Sequence, residues 1–288
     1  MIFPLTPSFV TVKKRMHHGE SMNEPLVCVS FEGVTTEEIL EEAARANLAG
    51  ADLAELRYDR FFLIRPEEEE DDVREEEEGD EDQVIDEMLW ERRGATDIEV
   101  GDTIAKLKDG IPLPVIFTCR PIDEGGYYPG NEKSRIAILE HAIESEVSWV
   151  DIEISMSSKQ RKKLVAKAAE NGVKVIASVH GTDGVPGAEE IIDIVKSNAE
   201  NGDLVKCCYR TSNHQESLAI IDAAEALKDS EIDNSLMGLG PGGDWTRIHA
   251  PLLEQAMVYA TLRNDFKLYE EGLINVKDVR ETWILLEY

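Results

Sequence analysis

The 288-residue sequence contains few cysteines, no long apolar run and few basic residues compared with acidic ones. Its four cysteines include no C-x-x-C pair, which argues against a disulfide framework or a zinc site and indicates reduced thiols. No apolar run approaches the roughly 18 residues of a membrane span, and the N-terminus lacks the apolar segment of a signal peptide. We therefore expect a cytoplasmic protein without a membrane partner.

Lysine and arginine number 30 against 59 aspartates and glutamates, which gives a formal net charge of −29. Because such a chain repels a phosphate backbone, we exclude nucleic acid as a partner. Residues 67–82 alone hold 13 acidic residues and one arginine, a composition too highly charged to collapse into a core. We expect 66–99 to be an acidic, disordered insertion and 1–24 to be a flexible extension, with a single folded domain at 25–288.

Motifs for nucleotides and metals are also missing. Neither G-x-G-x-x-G nor G-x-x-x-x-G-K-[ST] follows the first predicted strand, which argues against a doubly wound open sheet. There is no H-E-x-x-H motif and no histidine pair at metal-ligand spacing, so we predict no metal site.

What the sequence does contain is a repeated unit, a short β-rich run followed by a helical pattern. The runs span residues 26–31, 51–59, 114–120, 149–154, 174–180, 203–209, 235–240 and 257–262. Apolar spacing predicts helices at 36–48, 134–144, 158–171, 188–198, 213–227 and 245–255, with another beginning near Gly101. Alternating strands and helices in a core near the ~250 residues of a TIM barrel predict an α/β fold, a (β/α)8 TIM barrel, with the acidic insertion after its second strand.

Ionisable residues gather at the carboxyl ends of these strands, which meet at one mouth of a barrel. The third strand ends at Arg120, with Glu124 four residues later, and the fifth ends at His180. The sixth carries Lys206, and Arg247 follows the glycine-rich bend after the seventh. Strand alternation puts Glu55, Arg57 and Asp59 on one face of the second strand. In the same way it puts Asp151 and Glu153 on one face of the fourth strand.

Each of these residues has a structural interpretation when taken alone. Glu55 and Arg57 fit an ion pair, Asp151 and Glu153 fit counter-charges to the cations, and His180 fits a hydrogen-bonded core histidine. Their convergence on one mouth favours a reactive site instead.

The residue types point to a particular chemistry. Three arginines suit a small substrate that carries a carboxylate and hydroxyls. A lysine with a histidine and a carboxylate suggests covalent imine catalysis with proton transfer. We expect the positive charges around Lys206 to lower its pKa, which would leave part of it unprotonated near neutral pH.

Six segments resemble, in order and spacing, the type I 3-dehydroquinate dehydratases of the shikimate pathway. They are AELRYD (54–59), IFTCRPIDEGG (116–126), WVDIEI (149–154), ASVH (177–180), GDLVK (202–206) and MGLGPGGDWTRIHAPLL (237–253). The resemblance implies a lyase that dehydrates 3-dehydroquinate to 3-dehydroshikimate through a lysine Schiff base, in aromatic amino acid biosynthesis. It also implies a homodimer and no metal or coenzyme.

The same resemblance implies a role for each matching residue. Lys206 is similar to the Schiff-base lysine, His180 to the general acid and base, and Glu124 to the carboxylate that orients the histidine. The positions similar to substrate-binding residues are Glu55, Arg57, Arg120 and Arg247, the last of which matches the arginine that pairs with the substrate carboxylate.

The sequence departs from the family pattern in the lid that follows the eighth strand. Where the family has S-A-P-G-Q, this chain keeps the glycine, Gly272, but has Tyr269 and Leu273 at the serine and glutamine positions. Two alternatives therefore stay open. One is another class I Schiff-base barrel enzyme of the aldolase type, with the glycines at 240–243 holding a phosphate. The other is a catalytically weakened binding protein on the same scaffold.

Overall fold

The computed structural model describes residues 14–17, 20–66, 87–264, 268 and 270–288. One sheet of eight parallel strands curves into the predicted (β/α)8 barrel, and each predicted strand run coincides with one of its strands. The strands are β1 (Leu26–Ser30), β2 (Leu53–Arg57), β3 (Val115–Thr118), β4 (Trp149–Glu153), β5 (Lys174–Gly181), β6 (Leu204–Arg210), β7 (Asn234–Leu239) and β8 (Met257–Ala260).

A helix follows each strand. The helices are α1 (Thr36–Ala49), α2 (Val100–Gly110), α3 (Glu132–Glu144), α4 (Ser158–Glu170), α5 (Ala188–Asn198), α6 (His214–Leu227), α7 (Gly243–Ile248) and α8 (Val276–Leu285). Helix α1 begins as predicted, because the Thr35 hydroxyl accepts a hydrogen bond from the Glu38 backbone N–H at 3.2 Å. Among the described residues, no helix is long and apolar enough to cross a membrane.

One helix prediction was wrong, and one helix was not predicted. The helix predicted at 245–255 ends at Ile248, because Pro251 disfavours helical backbone at the residue before it and has no N–H to donate. Helix α8 was not predicted at all. Its signal is Asn275, whose side chain accepts the Lys277 backbone N–H at 2.9 Å and caps the helix start.

The barrel closes at a seam between β7 and β8. Seven parallel ladders join the strands in the order β7, β6, β5, β4, β3, β2, β1, β8. At the seam the Ala256 backbone N–H donates to the Asn234 carbonyl at 2.9 Å, and the Ser235 hydroxyl donates to the Met257 carbonyl at 2.7 Å. A side chain therefore supplies part of the hydrogen bonding that closes the sheet.

Alternation along the strands separates the barrel interior from the helix-packed exterior. On β6, Val205, Cys207 and Tyr209 pack against the outer helices, whereas Leu204 and Cys208 join an interior apolar cluster. Lys206 lies between those two interior residues and shares their face. The Lys206 side chain therefore enters a barrel interior that is otherwise partly apolar.

The predicted insertion and extension lie partly outside the described residues, since nothing is described for 67–86. Residues 87–99 are described, and strand residues Leu63–Ile64 and Glu91–Arg92 pair antiparallel where disorder was predicted. Likewise, within 1–24, Lys14–His17 pairs antiparallel with Glu20–Asn23. The single-domain division stays a prediction.

Candidate active site

Lys206 lies inside the barrel with its side chain held between two carboxylates. It is 3% exposed, and its Nζ lies 2.9 Å from Asp151 Oδ2 and 3.4 Å from Glu55 Oε1. Arg120 completes the cluster, with Nη2 at 3.5 Å from Glu55 and 3.7 Å from Asp151. Two buried carboxylates thus balance two buried cations, which is the arrangement that makes their burial tolerable.

The predicted direction of the Lys206 pKa was wrong. Burial and Arg120 act to lower the pKa of Lys206, but Asp151 and Glu55 outweigh them and raise it. The sequence showed the cations near the lysine, but it did not show that both carboxylates lie closer. In the free protein Lys206 is therefore an ammonium, which must lose a proton before it can attack a carbonyl.

Glu55 is fixed by neighbours on both adjacent strands. The Ser30 hydroxyl donates to Oε2 at 2.6 Å and the Thr118 hydroxyl donates to Oε1 at 2.9 Å. Burial alone would raise the pKa of Glu55, but Lys206 and Arg120 hold it far below its usual range. Glu55 is therefore a fixed negative charge.

His180 and Glu124 form a second pair nearer the mouth. In the register of β5 and β6, Ser178 lies beside Lys206 and His180 lies beside Cys208. His180 is therefore two residues along the strand, or one interior step, nearer the mouth than the lysine. Its Nδ1 lies 3.1 Å from Glu124 Oε2, and the Ser155 hydroxyl donates to the other Glu124 oxygen. Sequence reasoning missed Ser155, which carries no motif of its own.

The free nitrogen of His180 suits it to act as a base. Burial, followed by the charges of Arg120 and Lys206, holds the pKa of His180 well below its usual range, so the ring is neutral. When Nδ1–H donates to the Glu124 carboxylate, Nε2 keeps its lone pair. Nε2 is buried and has no hydrogen-bond partner among the described residues, which leaves it free to take a proton.

Arg57 pairs with Asp59 rather than with Glu55. The pair is bidentate, with Nε at 2.9 Å and Nη2 at 2.7 Å from the two Asp59 oxygens. Asp59 also accepts the backbone N–H groups of Arg120 at 3.2 Å and Tyr127 at 3.1 Å. Asp59 therefore joins the end of β2 to the loop after β3.

Arg247 and Arg120 differ in how their donors are used. Arg247 is 1% exposed and bonds backbone carbonyls, with Nε on Tyr259 at 2.8 Å and Nη1 on Gly238 and Gly243 at 2.7 and 2.8 Å. The Nε and Nη2 atoms of Arg120 are buried without a hydrogen-bond partner in the described part of the chain. Of the two, Arg120 has more donors free for a ligand.

Glu153 does not join the lysine cluster, although it shares a strand face with Asp151. Its Oε2 lies 2.6 Å from Nη1 of Arg135, which reaches in from α3 and also donates to the Cys119 carbonyl at 3.0 Å. Burial raises the pKa of Glu153 to about 7, against the effect of Arg135. The sequence analysis did not single out Arg135, because its place in a helix pattern gave no sign that it reaches the barrel interior.

The glycines at 240–243 form a tight turn. A Cβ on Gly240, where φ is +113°, would lie 2.2 Å from the Thr211 carbonyl oxygen. The Gly240 backbone N–H donates to the Glu271 carbonyl at 2.7 Å, and the Gly243 N–H donates to the Gly240 carbonyl at 2.9 Å. These two donors are not available to a phosphate. Tyr269 lies outside the described residues.

No metal site is evident in this region. Within the described ranges, no group of three or more histidine, cysteine, aspartate or glutamate side chains is placed to hold a metal ion.

Comparison with known proteins shows the family to which the chain belongs. The model of the family described as "Type I 3-dehydroquinase" matches residues 27–287. The 3-dehydroquinate dehydratase of Klebsiella pneumoniae subsp. pneumoniae is 30% identical over 267 residues, which cover 91% of this chain and 94% of that protein. The 3-dehydroquinate dehydratase of Methanosarcina barkeri is 27% identical over 258 residues, which cover 88% and 93%.

Solved structures show the same fold. The 3-dehydroquinate dehydratase from Geobacillus kaustophilus has a TM-score of 0.74 at 23% identity and covers 96% of both chains. The type I enzyme from Clostridium difficile, solved with covalently modified comenic acid, has a TM-score of 0.73 at 21% identity and covers 95% of this chain and 97% of its own. With the family match extending through nearly the whole barrel, the chain belongs to the type I 3-dehydroquinases.

Proposed function

We propose that this chain is a hydro-lyase that converts 3-dehydroquinate to 3-dehydroshikimate and water through an imine on Lys206. The observation that carries the proposal is the buried Lys206 ammonium, held 2.9 Å from Asp151, with the free Nε2 of His180 one interior step nearer the mouth. The enzyme acts in the shikimate pathway on a small substrate, and it uses neither metal nor coenzyme.

Imine formation is the first step. Lys206 gives up a proton, for which Asp151 is the nearest acceptor, and its Nζ attacks the ketone carbon. The carbinolamine hydroxyl takes up the proton that Asp151 accepted and leaves as water, which restores the Asp151 carboxylate and leaves a protonated imine with the same positive charge as the ammonium. Asp151 and Glu55 therefore stabilise the intermediate with the same contacts that hold the lysine before reaction.

Proton transfer by His180 follows. Its Nε2 removes a proton from the carbon next to the imine, and the electron pair moves toward the imine nitrogen. The resulting imidazolium, stabilised by Glu124 at 3.1 Å, protonates the departing hydroxyl one carbon further along. Water then adds to the imine and releases the enone, which returns Lys206 to the free state.

Substrate orientation is the proposed work of the remaining site residues. Arg120 is the strongest candidate for the substrate carboxylate, because no hydrogen bond of its guanidinium is described and its Nη2 makes only the longer ion-pair contacts with Glu55 and Asp151. Glu55 and Arg57 hold hydroxyls, and Arg247, which backbone carbonyls fix through Nε and Nη1, directs its remaining nitrogen, Nη2, to the substrate.

Neither alternative gains support from the site. An aldolase acting on a sugar phosphate needs a phosphate cradle, and two backbone donors of the candidate loop, those of Gly240 and Gly243, are already bonded. Ligand binding alone does not require a buried lysine with a base beside it, whereas imine catalysis does. Nothing in the described lid residues favours that function over catalysis.

A turnover assay tests the proposal. Purified protein is mixed with 3-dehydroquinate, and the conjugated enone product is followed by its ultraviolet absorbance. Sugar phosphates are assayed in parallel for carbon–carbon cleavage. We expect turnover of 3-dehydroquinate alone. No product from correctly folded protein, with or without ligand binding, would contradict the proposed reaction.

A further inference from the structure

Tyr259 presents its ring to the lysine. It lies on β8, two strands from Glu55 on β2, and the centroid of its ring is 4.3 Å from Lys206 Nζ. The side chain is 8% exposed, and its hydroxyl is buried without a hydrogen-bond partner among the described residues. Because the hydroxyl makes no described bond, the ring is the part of the Tyr259 side chain that contacts a charged group.

Several charged or titratable groups lie around Lys206, one on its own strand and the others on neighbouring parts of the barrel. They are Cys28, Glu55, Arg120, Asp151, His180 and Cys208. Among them the two carboxylates attract the lysine cation, but a carboxylate is also a base that can remove its proton. An aromatic face attracts a cation through its quadrupole and accepts no proton. The ring of Tyr259 therefore stabilises positive charge on the nitrogen without competing for the proton.

The position of the ring is fixed through the backbone. Arg247 Nε donates to the Tyr259 carbonyl at 2.8 Å, and its Nη1 ties the same guanidinium to Gly238 at 2.7 Å. Arg247 is thereby placed to hold β8 against β7 beside the seam, where the strand ladder is interrupted. This contact explains why an arginine is buried there with its donors on carbonyls.

We propose that Tyr259 is a positioning residue, whose ring face holds the cationic nitrogen of Lys206 in the ammonium and again in the protonated imine. The second half of this statement rests on the proposed function. The protonated imine is planar and carries its charge on the same nitrogen, so it can lie against the same ring face. Tyr259 acts through Lys206 and takes no part in proton transfer.

The test replaces Tyr259 with phenylalanine and with a series of increasingly fluorinated phenylalanines. Fluorine withdraws electron density from the face of the ring and so weakens its quadrupole, while it changes the shape of the ring little. The access of the labelling reagent to Lys206 should therefore be the same across the series. The readout is the rate of reductive methylation of Lys206 by formaldehyde and an amine-borane, measured by peptide mass spectrometry at mildly alkaline pH. Lys174, which lies 4.8 Å from the Trp149 ring, is an internal control.

We expect Tyr259→Phe to match wild type and the rate to rise with each fluorine, reaching about tenfold for the pentafluoro ring. That factor corresponds to a fall of about one unit in the Lys206 pKa. Turnover of 3-dehydroquinate should decline along the same series. Equal labelling across the series, or a Phe variant as changed as the pentafluoro variant, would overturn the proposal. Labelling of Lys206 needs no substrate. If wild-type protein did not turn over 3-dehydroquinate, the proposed function would be contradicted, but the labelling series would still test the contact between Tyr259 and Lys206.

Discussion

Lys206 Nζ and Asp151 Oδ2 lie 2.9 Å apart in the buried interior of the barrel, and this pair sets the resting charge of the site. An ammonium paired with a carboxylate is a poor nucleophile, yet the same pair suits a protonated imine, which keeps the positive charge. The arrangement therefore suits the proposed protonated imine better than it suits the attacking amine.

Replacing Asp151 tests this relationship. Asp151→Asn removes a negative neighbour, so the Lys206 pKa should fall and the protonated imine should lose stabilisation. We expect kcat to drop by on the order of ten- to a hundredfold, while imine formation extends to lower pH. The matched control is Glu153→Gln, which alters the other carboxylate on the same strand face, and its imine formation should keep the wild-type pH dependence. A wild-type pH dependence in Asp151→Asn would argue against the charge relationship.

The pH profile reports on His180. Its pKa is lowered, so the neutral base persists as pH falls, and it is lost only when the pH passes through the lowered value. We expect the acid limb of kcat/KM to lie below about 6.5, the ordinary histidine value. Glu124→Gln should move this limb lower still and reduce kcat, because the imidazolium loses its carboxylate. An acid limb above neutrality would be inconsistent with a buried neutral histidine.

Two arginine variants separate substrate binding from structural support. Arg247→Met removes the donor to the Tyr259 and Gly238 carbonyls, while the Gly243 carbonyl keeps the Thr246 hydroxyl, so we expect unfolding in urea to show a loss of about 2–4 kcal/mol. Arg120→Met should instead raise KM by about ten- to a hundredfold, because a charged donor to the substrate is lost. The interpretation fails if Arg247→Met keeps wild-type stability and shows the larger rise in KM.

The acidic stretch should be dispensable for chemistry. Two contacts join the chain before this stretch to the chain after it. Ile64 pairs with Glu91, and Arg60 binds Glu87 through a bidentate pair at 2.6 and 2.7 Å, so the flanking segments are held together by residues outside 67–82. We expect deletion of residues 67–82 to leave kcat within about twofold, because no site residue described above lies within the deletion. A kcat that falls by a larger factor in a folded deletion variant would assign this stretch a role in the reaction.

The barrel could be predicted from sequence because its signals are local. Strand alternation, turn glycines and caps such as Thr35 lie within a few residues of the elements they define, and the same alternation places Lys206 and Asp151 in the interior. The lysine pKa could not be predicted, because its sign depends on distances between β6, β4 and β2. The contacts of Arg247 with Tyr259 and of Arg135 with Glu153 also join elements distant in sequence.

Borohydride trapping on Lys206 tests the central claim most directly. Protein mixed with 3-dehydroquinate is reduced and digested, and the peptide containing Lys206 is examined by mass spectrometry, with Lys206→Met and His180→Gln treated in parallel. We predict one stable adduct on Lys206 in wild type and in His180→Gln, which should form the imine yet turn over about 10²–10⁴-fold more slowly, and none in Lys206→Met. Active wild-type protein that yields no adduct on Lys206 would contradict imine catalysis.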